Sequence, residues 1–231
     1  MSSPFAALPF TQRAILSAIK GEGPLPLREL AGRLGLSYEA VRQQVGELER
    51  GGWLRATAES RLAEGAGRPY RLYGLTAAGD HLFPKHYDDL ALELLDTVAS
   101  EMGAEALRGL LAALAEARVR QLGPQLEGLA LRERLEKLRA IYHEGDPFIQ
   151  VETGPEGELR LVERNCPFLA VASRRPALCS VTVSVLSRLL GCRVVRLERF
   201  QDGKGRCVFQ VLENQPLGPE EKGFEWEPEA G

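Results

Sequence analysis

The stretch LRELAGRLGLSYEAVRQQVGELERGGWL, residues 27–54, decides how the chain is read. Leu27, Leu30, Ala31 and Leu34 recur at helical spacing, which predicts a helix of about eight residues. Gly35 stops it, because glycine closes a helix in the left-handed region at least cost, and Ser37 supplies a capping oxygen for the next helix. Two helices joined by a turn of about three residues make a helix-turn-helix, whose second helix enters the major groove of DNA. With about 3.6 residues per turn, Val41, Val45 and Leu48 share one face of that second helix. The opposite face carries Glu39, Arg42, Gln43 and Gly46, with Ser37 at its start and Tyr38 at its edge. Arginine and glutamine donate in pairs to guanine and adenine edges, so this face is the candidate DNA reader.

Upstream, Thr11 is the candidate cap for a first helix running to about Ile19 and ended by GEGP at 21–24. Downstream, GGWLRAT at 51–57 reads as a helix stop and a strand, AESRLAEGAGRP as a loop, and YRLYGLT as a returning strand. Two strands bracketing a Gly- and Arg-containing tip form a wing, and Arg61 and Arg68 are placed to reach phosphates or the minor groove.

At 231 residues, 44% hydrophobic and 26% charged, the chain has the composition of a folded globular protein of about two domains. No apolar run approaches the roughly 18 to 20 residues of a membrane span, and MSSPFAALPF lacks the features of a signal peptide. A cytoplasmic protein with no membrane partner is expected. The net charge of −3 argues against nucleic acid when taken whole, but it is unevenly spread. Residues 1–75 hold ten Arg and Lys against seven acids, a balance of +3, whereas the last nineteen hold six Glu against Lys222. A mildly basic head can meet phosphate while an acidic tail stays in solvent.

Helical periodicity continues from Lys85 to about Glu101, from Glu105 to Leu122 and from Leu129 to Tyr142. These helices suit either a two-fold interface or the core of one subunit. FIQVETGPEGELRLVER at 148–164 then reads as a hairpin, residues 176–191 as an amphipathic helix, and CRVVRLERFQDGKGRCVFQVLE as a second hairpin turning at DGKG. The expected class is α+β: a winged-helix domain at 1–80, a helical linker or dimerisation segment at 81–145, a sensor domain at 146–215, and a flexible acidic tail at 216–231.

All four cysteines, Cys166, Cys179, Cys192 and Cys207, fall in that sensor domain, each at the end of an expected element. A structural zinc site normally includes a closely spaced pair, which is missing here. Iron-sulfur ligation takes soft thiolates and tolerates wide spacing. Buried inert thiols remain a third reading. An enzyme is not expected: His81, His86 and His143 are scattered, and no nucleophile stands in a recognised setting.

The quoted stretch, followed by GRPYRLYGLTAAGDHLFPKHYDDL with Leu75, Thr76, Gly79 and Phe83-Pro84, resembles winged-helix regulators of the DeoR-like or ArsR-like kind, and especially the Suf-type iron-sulfur-cluster repressors. Asn165, Cys166, Pro167, Phe168, Cys179, and Gly203 to Cys207 and Phe209 resemble the C-terminal signature of that group. The resemblance implies a homodimeric transcriptional repressor that binds a double-stranded DNA operator and holds a [2Fe-2S] or [4Fe-4S] cluster. It implies cluster-assembly genes as targets and Cys166, Cys179 and Cys207 as ligands. Cys192 completes the set less closely, which leaves room for a non-cysteine ligand such as His143 or a carboxylate. Two alternatives are a winged-helix regulator sensing a small apolar ligand and a zinc-stabilised interaction module.

Overall fold

The computed structural model describes residues 4–60, 70–218, 223–224 and 226–227. Its packing divides into two compact units, Met1–His86 and Tyr87–Gly231.

In the first unit, α1 (Phe10–Glu22), α2 (Leu27–Leu34) and α3 (Tyr38–Arg50) precede the wing strands β2 (Leu54–Ser60) and β3 (Tyr70–Leu75), and a short β1 (Leu25–Pro26) completes an antiparallel sheet of order β1-β3-β2. Helix α1 begins at Phe10 after Pro9, so Thr11 lies inside its first turn and not at its cap. It runs on to Glu22 because Lys20, Gly21 and Glu22 do not break a helix; the left-handed Gly23 (φ 89°) ends it. Gly35 closes α2 in the left-handed conformation (φ 63°), and Ser37 caps α3, its side chain accepting from the Ala40 N–H at 3.2 Å. Ile15, Leu16, Ile19, Leu30, Val41, Val45, Leu48 and Leu54 form the core of this unit.

The wing is tied back by Thr76, which caps the short α4 (Ala77–His81) and donates to the Gly52 carbonyl at 2.6 Å. Gly79 lies against the Trp53 carbonyl so tightly that an added Cβ would overlap it. Asp80 pairs with Lys20 and Lys85, whose hydrogen bonds hold its carboxyl down at about 2.

In the second unit, α5 (Tyr87–Met102), α6 (Ala104–Leu122) and α7 (Leu131–Tyr142) lead into the hairpin β4 (Gln150–Thr153) and β5 (Leu159–Glu163). Then follow α8 (Leu169–Ala172), α9 (Cys179–Leu190), β6 (Cys192–Glu198) and β7 (Cys207–Pro216). The sheet is antiparallel with order β4-β5-β7-β6. The expected division at 145/146 does not separate two packed bodies. Leu111, Ala115, Leu135 and Leu138 of the helices share one core with Leu161, Val185, Leu186 and Phe209 of the sheet and α9. The physical reason is that α9 packs on β6 and α6 packs on α9, so one apolar core runs from the helices to the sheet.

The acidic tail, expected to be flexible, is docked at Phe224 and Glu227. Phe224 is buried in the same core, and its carbonyl accepts from Arg108 Nη2 at 3.2 Å. The glutamates had suggested solvent, but Phe224 and Trp226 supply the apolar surface that holds the segment down.

Candidate functional site

On α3 the buried residues are Val41, Val45 and Leu48, which leaves Tyr38, Glu39, Arg42 and Gln43 on the exposed side. Tyr38 is 51% exposed. Ser37 uses its hydroxyl as the helix cap, so its part at this surface is first of all to set where α3 begins. The Arg42 guanidinium is forked onto Glu39, with Nε at 2.9 Å and Nη2 at 2.5 Å, and both side chains are well exposed. That hydrogen bond is the main cause that holds the Glu39 carboxyl down and raises Arg42. A base edge would have to take Arg42 from Glu39, an exchange open to an exposed pair worth little in water. Gln43 is exposed beside it. Arg61 and Arg68 lie outside the described residues. Across the wing, β2 and β3 pair from Leu54↔Leu75 to Ser60↔Tyr70, with a bulge between Ala56 and Ala58.

The comparisons with known proteins bear on this unit. Residues 11–55 match the family model described as winged helix-turn-helix DNA-binding. The N-terminal unit has the winged helix-turn-helix fold. Among solved structures, the chain is similar to NMB1585, a MarR family regulator from Neisseria meningitidis, with 21% identity and a TM-score of 0.30 over 52% of this chain and 82% of that one. That degree of likeness is too low to transfer a function. No curated protein matches.

The second candidate site lies at one end of the C-terminal unit. Cys179 is the first residue of α9, Cys207 the first of β7, and Cys166 sits in the loop between β5 and α8. Cys166 lies within electrostatic reach of both Cys179 and Cys207. Two of them, Cys179 and Cys207, meet Arg196. Arg196 Nη1 donates to Cys207 Sγ at 3.1 Å and Nη2 to the Cys179 carbonyl at 3.0 Å, while Gln201 Nε2 approaches Cys179 Sγ at 3.4 Å. Arg196 also stacks on Phe209, 4.6 Å from the ring centre, and its side chain is only 3% exposed. Its charge is balanced by Glu227, which accepts from Nε at 2.9 Å and Nη2 at 3.0 Å.

The loop that carries Cys166 is fixed by a buried acid. Asp146 accepts from the backbone N–H groups of Phe148 (2.9 Å), Arg164 (2.9 Å) and Asn165 (3.0 Å). Burial, with Glu163 adding to it, pushes the Cys166 thiol up to about 11, and burial raises Cys207 against the pull of Arg196. Glu163, directly across the ladder from Cys207, is lifted by burial to about 7. Cys166 and Cys207 are therefore held as neutral thiols, Cys207 beside the paired Arg196 cation.

Cys192 does not join the other three. It opens β6 after α9, and a helix of 12 residues is about 18 Å long, so the two ends of α9 hold Cys179 and Cys192 far apart. Burial and Glu213 raise Cys192, with Arg134 opposing, and these neighbours differ from those of the other three thiols. The sequence places all four cysteines at element ends, but three of those ends lie at one edge of the unit and the fourth at the other. His143 caps the end of α7, whereas Glu163 is the carboxylate that strand pairing brings beside the thiols. Among the described residues no three His, Cys, Asp or Glu side chains stand close enough to hold a single metal ion.

Arg196, Gln201 and Glu227 are functional candidates that sequence reasoning misses. Arg196 lies within an alternating strand, where it looks like any outward-facing arginine; no signal short of the fold marks it.

Proposed function

We propose that the protein is a homodimeric transcription regulator, a repressor in the cytoplasm. Its winged helix binds a DNA operator, and its C-terminal unit senses iron-sulfur cluster or redox status through Cys166, Cys179 and Cys207. The observation that carries the reading is the convergence of Cys179 and Cys207 on one buried guanidinium, with Cys166 within electrostatic reach of both thiols, in a chain that also bears a winged helix-turn-helix. When bound, a cluster supplies a redox-active, thiolate-ligated group whose charge depends on its oxidation state. Deprotonated thiols would be needed, and Arg196 is placed to offset their charge while Asp146 orients the Cys166 loop and Gln201 faces Cys179. Cluster-assembly genes are the targets this reading implies.

The donor set favours a cluster over a zinc ion. One zinc needs all its ligands at about 2.0–2.3 Å from a single point, whereas a cluster spreads its thiolates over several irons. An apolar ligand finds less support, since a cavity of about 220 Å³ in this unit is lined by Ser184, Ser187, Arg188 and Arg193. The homodimer draws on α5, which leaves Tyr87, Leu90 and Leu94 exposed at helical spacing.

Purification without oxygen, followed by iron analysis and visible absorbance, tests the sensor. A coloured, iron-containing protein that loses its colour in Cys166→Ser, Cys179→Ser and Cys207→Ser but keeps it in Cys192→Ser is expected. Operator affinity should differ between loaded and metal-free protein by about 5- to 150-fold, the range of a coupling of about 1–3 kcal/mol. Colourless, iron-free protein after anaerobic reconstitution would overturn the cluster reading.

A further inference from the structure

We propose that Phe224, Trp226 and Glu227 form a strap that closes the thiol site, with Glu227 held on Arg196, and that ligation of Cys207 opens it. Closure stands on the geometry of these side chains alone; opening on loading rests on the cluster reading above.

Arg196 has two claimants. Its Nε and Nη2 are forked onto the Glu227 carboxylate, and its Nη1 points at Cys207 Sγ, 3.1 Å away. A bidentate guanidinium-carboxylate pair is strong and directional, and this one is nearly out of water, with side chains 3% and 9% exposed. The strap has further anchors. Phe224 is buried and meets Trp226 edge-on at 5.7 Å, and the Glu227 N–H donates to Ser180 Oγ at 2.9 Å. Ser180 immediately follows Cys179. The segment thus holds the residue beside one thiol and the cation that serves another. Cys179 and Cys207 are correspondingly buried, at 7% and 2% exposure.

Charge balance makes this closure conditional. Arg196 and Glu227 cancel, with Arg199 3.6 Å from Glu227 and with Glu163 bearing on Arg196 and Asp146 on Glu163. A ligated Cys207 is a thiolate, and its negative charge enters a desolvated site already holding these carboxylates. Uncompensated buried charge is strongly unfavourable. Arg196 can relieve it by turning fully to the sulfur, and Glu227, carried on a segment outside the sheet and helices, is the acid free to move to water.

The full-length, metal-free, reduced protein is treated with iodoacetamide, and the alkylation of each cysteine is followed by peptide mass. Glu227→Gln keeps the shape and removes the charge; it should speed alkylation of Cys179 and Cys207 by about tenfold and leave Cys192, buried at the other end of α9, unchanged. Glu227→Asp, which keeps the charge, should fall between. Unchanged rates at Cys179 and Cys207, or equal acceleration at Cys192, would overturn the strap, the latter by showing general loosening. In a second arm, wild-type protein is loaded with ferrous iron and sulfide without oxygen, and hydrogen exchange of the peptide containing Glu227 is measured. Faster exchange is expected. Unchanged exchange with iron bound overturns the opening, whereas failure to bind iron overturns the cluster reading and leaves closure to be judged by alkylation.

Discussion

Gly79 shows what a single hydrogen atom as side chain permits. It lets α4 lie directly on the Trp53 carbonyl, where Thr76 also donates, so the base of the wing is closed by backbone against backbone. A methyl group there must displace a strand end or the helix. Gly79→Ala should therefore lower the stability of the head by about 1–3 kcal/mol, read as a lower urea midpoint with an unchanged slope. In the sequence Gly79 is visible only as part of a resemblance, because the need for it arises from a residue 26 positions earlier. Arg196 is less visible still. Its partners Glu227 and Cys207 are brought to it by strand pairing and by the tail, and no local pattern in RVVRLE distinguishes a buried, paired arginine from an exposed one.

At the level of elements, α3 is the most legible part of the chain. Its cap at Ser37 and its buried face of Val41, Val45 and Leu48 follow from local spacing, which is set by the helix itself and needs no distant partner. The exposed face is where its function is tested. Replacing Arg42 and Gln43 together by Ala should weaken operator binding by about 1–3 kcal/mol for each base edge no longer bonded and change the sequence preference, as measured by titration against operator variants at fixed salt. Unaltered binding would mean that this face does not read DNA. The removal of Arg42 also frees Glu39, whose uncompensated charge would then face phosphate, so adding Glu39→Gln to the double variant separates the missing base bonds from the added repulsion. The tail misleads for a reason of the opposite kind. Six glutamates among the last nineteen residues outweigh two aromatic residues by number, yet packing is decided by the aromatic surface and one of those glutamates is the buried partner of Arg196.

For the molecule as a whole, the two-part organisation is legible in the sequence and the place of the middle helices is not. Periodicity locates α5, α6 and α7 but cannot say which apolar stripe meets which neighbour. Leu111 and Ala115 of α6 face the C-terminal core, whereas Leu90 and Leu94 of α5 are more than half exposed. If the latter pair forms the two-fold interface, Leu90→Glu with Leu94→Glu should convert a dimer to a monomer in sedimentation velocity. It should also weaken binding to a two-half-site operator more than to a single half-site. A dimer that survives both charges would place the interface elsewhere.

The sheet order β4-β5-β7-β6 sets a sequence of events during synthesis. The strand Cys207–Pro216 is made last yet lies in the interior of the sheet, between strands made earlier. Until it emerges from the ribosome, β5 and β6 have no common neighbour, and one of the three clustered thiols does not yet exist. The winged helix, whose core draws only on earlier residues, can be finished by then. Each new chain therefore completes its winged helix before it completes the thiol site.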